Sequence, residues 1–337
     1  MRNTRLTLLG ALLLLLLHFT GGCSRRRTPE PTASVTNGLI ALTLRDPAGR
    51  LQIFTQQPDA SGRHQLTSEG DNGRPDWSPD GTKIAFGRLH MGRSWIGVMD
   101  ADGSNQRLIA EGSPDPDWSP AGARIAFSRP TRSTDGHIQS QIWLMNPDGS
   151  NLRQLTRSDT FKAGPSWSPD GKQMAFILLK NPGSSGPQIG IVDIEGNNER
   201  ILTAAPRVNV RREPDGTMTV LETADDANAP AWSPVDDRIA FWSGIESRYG
   251  QVWGIHSDGT KSTQLTEDPS HRNSDDPSWS PDGKHILFST GRSGSNELWV
   301  MDADGTHERK LSEIDAYPFP GRASWQPRRQ APVARNR

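Results

Sequence analysis

Trp167-Ser168-Pro169-Asp170-Gly171 is the stretch to which this chain keeps returning. It recurs as Trp77-Ser78-Pro79-Asp80-Gly81 and Trp279-Ser280-Pro281-Asp282-Gly283, more loosely as Trp118-Ser119-Pro120-Ala121-Gly122 and Trp232-Ser233-Pro234, and degenerately as Trp325-Gln326-Pro327. Successive tryptophans are 41, 49, 65, 47 and 46 residues apart. A self-similar period of this size marks a repeat architecture, in which each repeat is one supersecondary unit that cannot bury its apolar surface alone.

Each of the first five copies leads into a short apolar run: Ile84-Ala85-Phe86, Ile125-Ala126-Phe127, Met174-Ala175-Phe176, Ile239-Ala240-Phe241 or Ile286-Leu287-Phe288. A second run follows, such as Ile142-Trp143-Leu144-Met145, then an acidic turn such as Asp302-Ala303-Asp304-Gly305, then a third strand ending in Leu155-Thr156 or its equivalent. With the residues around the Trp, each repeat supplies four strands. Runs that are apolar at consecutive positions need cover on both faces, and radially stacked neighbours provide it. Six such units predict an all-β fold, a six-bladed β-propeller with four-stranded blades. A helical solenoid is excluded, because no segment sustains a 3.6 period while Gly and Pro punctuate the whole chain. Ile40-Ala41-Leu42, Leu51-Gln52-Ile53-Phe54 and Leu66-Thr67 form three strands with no Trp-Ser-Pro before them. Ala323 to Pro327 is such a strand with no blade after it. The two ends are therefore expected to share the closing blade, which removes an exposed sheet edge.

The pattern Pro-x-Trp-Ser-Pro-Asp-Gly-x-x-Ile-Ala-Phe, then Ile-Trp-x-Met-Asp-x-Asp-Gly, then Leu-Thr, resembles the TolB-type propeller repeat across nearly all of residues 38–327. That resemblance implies a protein- or peptide-binding or scaffolding module of the bacterial cell envelope. TolB proper carries an additional α/β domain ahead of its propeller, and a propeller without that domain is expected here, since blade strands begin soon after the leader.

Residues 1–22 read as a secretory leader: Arg2 and Arg5 precede an apolar core from Leu6 to Phe19 that is short for a membrane span. The chain's only cysteine, Cys23, follows Thr20-Gly21-Gly22 and resembles a bacterial lipoprotein box. A lone Cys in an exported chain needs a use, and lipid attachment at Cys23 supplies one. Ser24, where an Asp would signal retention at the inner membrane, points to a periplasmic, outer-membrane-anchored lipoprotein. Residues 23–37, with Arg25-Arg26-Arg27, Pro29 and Pro31, read as a flexible tether, and each arginine is worth about 1 kcal/mol beside anionic headgroups. Residues 328–337 read as a disordered tail. An insertion at about 206–228, where Val208, Val210, Met218 and Val220 alternate with polar residues around Glu213-Pro214-Asp215-Gly216, reads as an extra hairpin.

The formal net charge is −1 and no basic stripe is present, so no nucleic-acid partner is expected; the propeller is expected to be monomeric. No Gly-x-Ser-x-Gly elbow occurs, since Gly291-Arg292-Ser293-Gly294-Ser295 fails at its last position, and the histidines lack metal-ligand spacing. Neither metal nor cofactor nor catalysis is expected, with a channel-sited lyase or hydrolase, or a glycan binder, as the alternatives. Asp100-Ala101-Asp102-Gly103 begins like a calcium loop but lacks the third acidic ligand and the distant Glu, and Asp-Gly is a favoured hairpin dipeptide. Trp242 is off the repeat pattern. The positions three residues before each repeat Trp, namely Arg74, Asp115, Gly164, Ala229, Asp276 and Arg322, are predicted to ring one channel mouth. Asp76 and Asp117, one residue before their Trp, are expected to add carboxylates. Charge converging on a channel focuses the field on a small ion or a charged peptide end, whereas a rim that is merely solvated is the plainer use of the same residues.

Overall fold

The Trp-Ser-Pro-Asp-Gly stretch ends one strand and starts the next through a turn that its own side chains close. Ser78 Oγ donates to Asp80 Oδ1 at 2.6 Å and accepts from the Lys83 N–H at 2.9 Å, while the Gly81 N–H returns to the Ser78 carbonyl at 2.8 Å. Gly81 has φ 70°, and a Cβ there would stand 2.3 Å from the Pro327 carbonyl oxygen of the adjacent blade. Glycine is therefore required twice over. Ser168 with Asp170, and Ser280 with Asp282, close their turns in the same way.

The computed structural model describes residues 35–132, 136–179, 187–203, 209–212, 218–221, 227–244, 249–268, 272–314 and 322–329. They form six four-stranded antiparallel sheets arranged as a six-bladed propeller. The first blade, typical of the set, runs Asp71–Trp77, Lys83–His90, Arg93–Asp100 and Arg107–Glu111 from the axis outward. The closing blade takes its innermost strand, Ser324–Arg329, from the end of the chain and its other three, Val35–Arg45, Leu51–Gln56 and His64–Gln65, from the beginning.

Six hydrophobic cores lie between successive blades. Ile84 and Phe86 pack back against the closing blade with Ala41, Ile53 and Trp77, while Ala85 between them faces the second blade with Trp118, Ile125 and Phe127. Strand alternation explains the Ile-Ala-Phe signature: the two large residues share one face, and the small one leaves room for the next blade's tryptophan on the other. Ala126, Ala175 and Ala240 repeat the arrangement. The six repeat tryptophans are 4–8% exposed. The Leu-Thr ending has its own use, because Thr67 Oγ1 accepts the Ile53 N–H and donates to Gln52 Oε1, a pattern repeated by Thr156 with Gln141 and Thr266 with Gln251.

The strands at the ring's seam are longer than the sequence pattern indicates. Val35 pairs with Arg329, Thr36 with Arg328 and Asn37 with Pro327, so three residues assigned to the tether and two assigned to the tail belong to the sheet. Backbone pairing needs no apolar alternation, which is why periodicity missed them. In the insertion, Asn209–Arg212 pairs with Met218–Leu221, Val210 opposite Val220; the turn Glu213 to Gly216 lies outside the described residues, as do Cys23, the rest of 1–34 and 330–337.

Trp325 is shared by the fifth and closing blades. Trp325→Ala should cost about 3–5 kcal/mol, a large part of the roughly 5–15 kcal/mol that holds a domain folded. A chain ending at Arg329 should melt like the full chain and one ending at Ile314 far lower; equal melting temperatures for the two truncations would refute closure by the last strand.

Candidate functional site at the channel mouth

At four of the six repeat tryptophans the residue just before the Trp reaches into the next blade. Asp76 Oδ2 accepts the backbone N–H of Trp118 at 2.7 Å, Asp117 Oδ2 that of Trp167 at 2.8 Å, Ser166 Oγ that of Trp232 at 2.9 Å and Ser324 Oγ that of Trp77 at 3.2 Å. These clasps satisfy buried donors and tie blade to blade. Ser324 Oγ also donates to Asp76 Oδ1 at 3.2 Å.

Higher on the same innermost strands the ladder is bulged. Register with the second strand shifts between Gly73 and Asp76, Ala163 and Ser166, Asn228 and Ala231, and Asp275 and Ser278. Each bulge holds an X-Pro pair, whose proline has no N–H to lend to the ladder. The residue before it is left-handed: Arg74 at φ 50°, Gly164 at 57°, Ala229 at 49° and Asp276 at 49°. Glycine adopts this freely, whereas each of the other three holds strain of about 1–3 kcal/mol.

The bulges line a cavity of about 540 Å³. Among the residues singled out from the sequence, Arg74, Asp76, Asp115, Asp276 and Arg322 share this cavity, with Gly164 and Ala229. Asp117 does not. It lines a second cavity of about 380 Å³ farther along the channel, walled by the six repeat tryptophans and the prolines of their repeats. Arg322 alone lines both, with Nη1 3.7 Å from Asp117 Oδ1 and Nε donating to the Pro277 carbonyl at 3.2 Å.

The carboxylates differ in what they are free to do. Asp76 is occupied by Trp118 and Ser324, and Asp115 by the Ser128 N–H at 3.2 Å, the Ser128 hydroxyl at 2.8 Å and the Gly164 N–H at 2.8 Å. With the described residues, Arg74 and Asp276 make no hydrogen bond or ion pair through their side chains; Arg74 acts on Asp115 and Asp275 through space. Sequence reasoning missed Asp275, which lines the cavity next to Asp276 and accepts from Ser289 Oγ at 2.6 Å. Carrying the repeat alignment one residue farther back would have found it. Trp242, the off-pattern tryptophan, stands in the cavity wall, where a Cβ on Gly250 would come within 1.9 Å of its ring.

Burial governs the charge state here. It pushes Asp117 up to about 8, helped by the charge of Asp76 and opposed by Arg322. Burial lifts Asp76 to about 6, against the Trp118 N–H and Arg322, and lifts Asp275 to about 7, with Asp276 adding to the rise and Ser289 and Arg74 opposing it. Asp115 is raised as well, chiefly by burial, with Arg74 the main opposing charge.

No protein-family model matches the chain. In sequence it is similar to the TolB homologue of Chlorobium luteolum, 32% identical over 148 residues that cover 44% of this chain and 32% of that protein. It is also similar to oligogalacturonate lyase of Dickeya dadantii, 25% identical over 171 residues, 48% of this chain and 43% of that protein. The match thus spans less than half the length of either relative. In structure it is similar to TolB from Acinetobacter baumannii, with a TM-score of 0.63 at 21% identity, covering 86% of this chain and 66% of that one. Six four-stranded blades, one of them completed by strands from both ends of the chain, define a six-bladed β-propeller. The Trp-Ser-Pro repeat and these likenesses make it a TolB-like β-propeller.

The raised carboxylates have a measurable consequence. Between the ordinary carboxylate value of 3.8 and about 8, folded Asp117 keeps a proton that the unfolded chain has released, so its contribution to stability falls as pH rises through that window. Asp117→Asn keeps an acceptor for the Trp167 N–H and removes the buried charge. Its melting temperature should exceed that of the wild type by a margin that grows from pH 5 to pH 8; a margin independent of pH would show that Asp117 is not held protonated by burial.

Proposed function

We propose that this chain is an exported, lipid-anchored propeller that binds a protein or peptide of the bacterial envelope through the mouth lined by Arg74 and Asp276. One observation carries the reading: two oppositely charged side chains, each on a strained bulge, face the same cavity without a hydrogen-bond or ion-pair partner among the described residues. The cavity's volume, about 540 Å³, lies within the roughly 300–1,000 Å³ typical of ligand sites.

The TolB likeness supports an envelope location and a protein partner, and Cys23 at the end of the leader supports an anchor at the outer membrane. The lyase likeness keeps catalysis as the second reading; among the described residues no histidine lines either cavity, so acid or base work there would fall to the raised carboxyls such as Asp275. Binding is the better-supported use of the mouth.

Affinity capture from membranes tests the face. The wild type should enrich an envelope protein that an Arg74→Ala, Asp276→Asn double variant does not, at unchanged melting temperature; identical captured sets would overturn the mouth as the binding face. The anchor is tested separately by intact mass, which should show a mature chain starting at acylated Cys23, and by Cys23→Ser, which should release the protein from membranes. An unmodified Cys23 would remove the anchor.

A further inference from the structure

We propose that the mouth cavity recognises the free amino end of a peptide chain, with Asp275 and Asp276 holding the α-ammonium and Arg74 holding the first backbone carbonyls. The proposal rests on the reading of this mouth as the binding face and narrows it to a ligand class.

Three observations lead to it. The first is which groups remain available. Asp76 and Asp115 are engaged by backbone N–H groups of neighbouring blades, so the charged groups left most open to a ligand are Asp276, the second oxygen of Asp275, and the Arg74 guanidinium, with the Asn228 and Asn273 amides and the Ser113 hydroxyl beside them. No ion pair joins Arg74 to either aspartate, although Arg74 acts on Asp275 through space, so the cavity presents a cation-binding pair and a separate anion- or carbonyl-binding group. The second is the shape. Arg322, held between the Pro277 carbonyl and Asp117, is, among the described residues, the one common to both cavities and so stands where they meet. A charged side chain at that junction favours a chain end over a threaded strand. The third is the remaining wall, where Ile177, Trp242 and Pro230 offer apolar cover for a first side chain.

A chain end satisfies all three. Its ammonium and first carbonyl are separated by a single carbon, whereas a lysine side chain places four methylenes between ammonium and backbone. No group of three or more His, Cys, Asp or Glu suited to a metal ion occurs among the described residues, so a bare divalent cation has no complete ligand set there.

Binding should be coupled to proton release. Asp275 faces Asp276 on its own strand, Ser289 on the neighbouring strand and Arg74 from the first blade, with Asp76, Asp115 and Arg322 also lining the cavity. Burial lifts Asp275 to about 7, so an arriving ammonium displaces the proton it holds when the cavity is empty. Affinity should therefore rise from pH 5.5 to pH 7.5, a range in which an α-amino group, with a usual pKa of about 7.7–8.0, is still largely protonated.

Isothermal titration of the mature protein with the tripeptide amide Ala-Leu-Ala and with its N-acetyl derivative is the test. The free amine should bind, and acetylation should weaken binding on the order of tenfold or more, because it removes a charge that meets two carboxylates in a largely buried site. Asp276→Asn, which suits the left-handed backbone, and Asp275→Asn, which can still accept from Ser289, should each weaken the free peptide several-fold and flatten its pH dependence. Equal affinity for the acetylated peptide, unchanged affinity in both variants, or no binding of either peptide would overturn the proposal. If no peptide binds while capture of an envelope partner still depends on Arg74 and Asp276, the binding face stands and the chain-end reading falls. If the peptide binds as described while capture is indifferent to these residues, the face assigned to the protein partner is the part that fails.

Discussion

Burial on both faces of every blade is the constraint on which this protein depends. A four-stranded sheet carrying Ile84 and Phe86 on one side and Ala85 on the other cannot satisfy either side by itself, and a row of such sheets leaves one apolar face bare at each end. Only a ring leaves none. Each core is accordingly shared by two blades, as Trp77 and Ile84 are shared with Ala41 and Ile53, and the innermost strand of the closing blade must come from the far end of the chain. The seam is held by Ile40 and Leu42 packing with Trp325, by the ladder from Val35 to Arg329, and by Gln326, which donates to the Gly81 carbonyl at 2.9 Å.

A ring of apolar sandwiches still has to satisfy the backbone of its innermost strands, and it does so with polar residues at the channel. The N–H groups of Trp118 and Trp167 are taken by Asp76 and Asp117, and those of Trp232 and Trp77 by Ser166 and Ser324. A carboxylate accepts more strongly than a hydroxyl but must be brought into a poorly solvated channel, which is why Asp117 and Asp76 hold protons more tightly than ordinary aspartates. Channel acidity in this protein is therefore largely structural, and charge counted from sequence overstates what a ligand would meet.

The proposed binding face is drawn from the residues that the scaffold leaves over. Arg74 and Asp276 occupy equivalent positions on strained bulges, yet neither makes a side-chain hydrogen bond with the described residues. Strain without a local structural return is a common mark of a binding surface. The structural likeness to TolB extends over the propeller and shows its fold, the likeness in sequence to a TolB homologue covers 44% of the chain, and the chemistry of the mouth comes from this chain's own side chains.

The fold and its closure were legible in the sequence because they follow from local pattern: the Trp-Ser-Pro-Asp-Gly turn demands its Ser, Asp and Gly, Ile-Ala-Phe encodes a large-small-large strand, and the unequal ends imply a shared blade. The convergence of Arg74, Asp115, Asp276 and Arg322 was also legible, since equivalent positions of a closed ring must lie at one level. What only the tertiary structure decided is which of those side chains are already engaged. Asp76, Asp115 and Asp117 are all aspartates just ahead of a repeat tryptophan, but the first two line one cavity and the third lines another, and each accepts a backbone N–H of the next blade across a separation of 42 to 50 residues. That Asp275 and Trp242 line the same cavity as Arg74 was decided only when the fourth and fifth blades met the first around the channel. Repeats specify strands and turns through neighbours in sequence, whereas the partners of a channel side chain are set by blades far apart in the chain, and no local pattern records them.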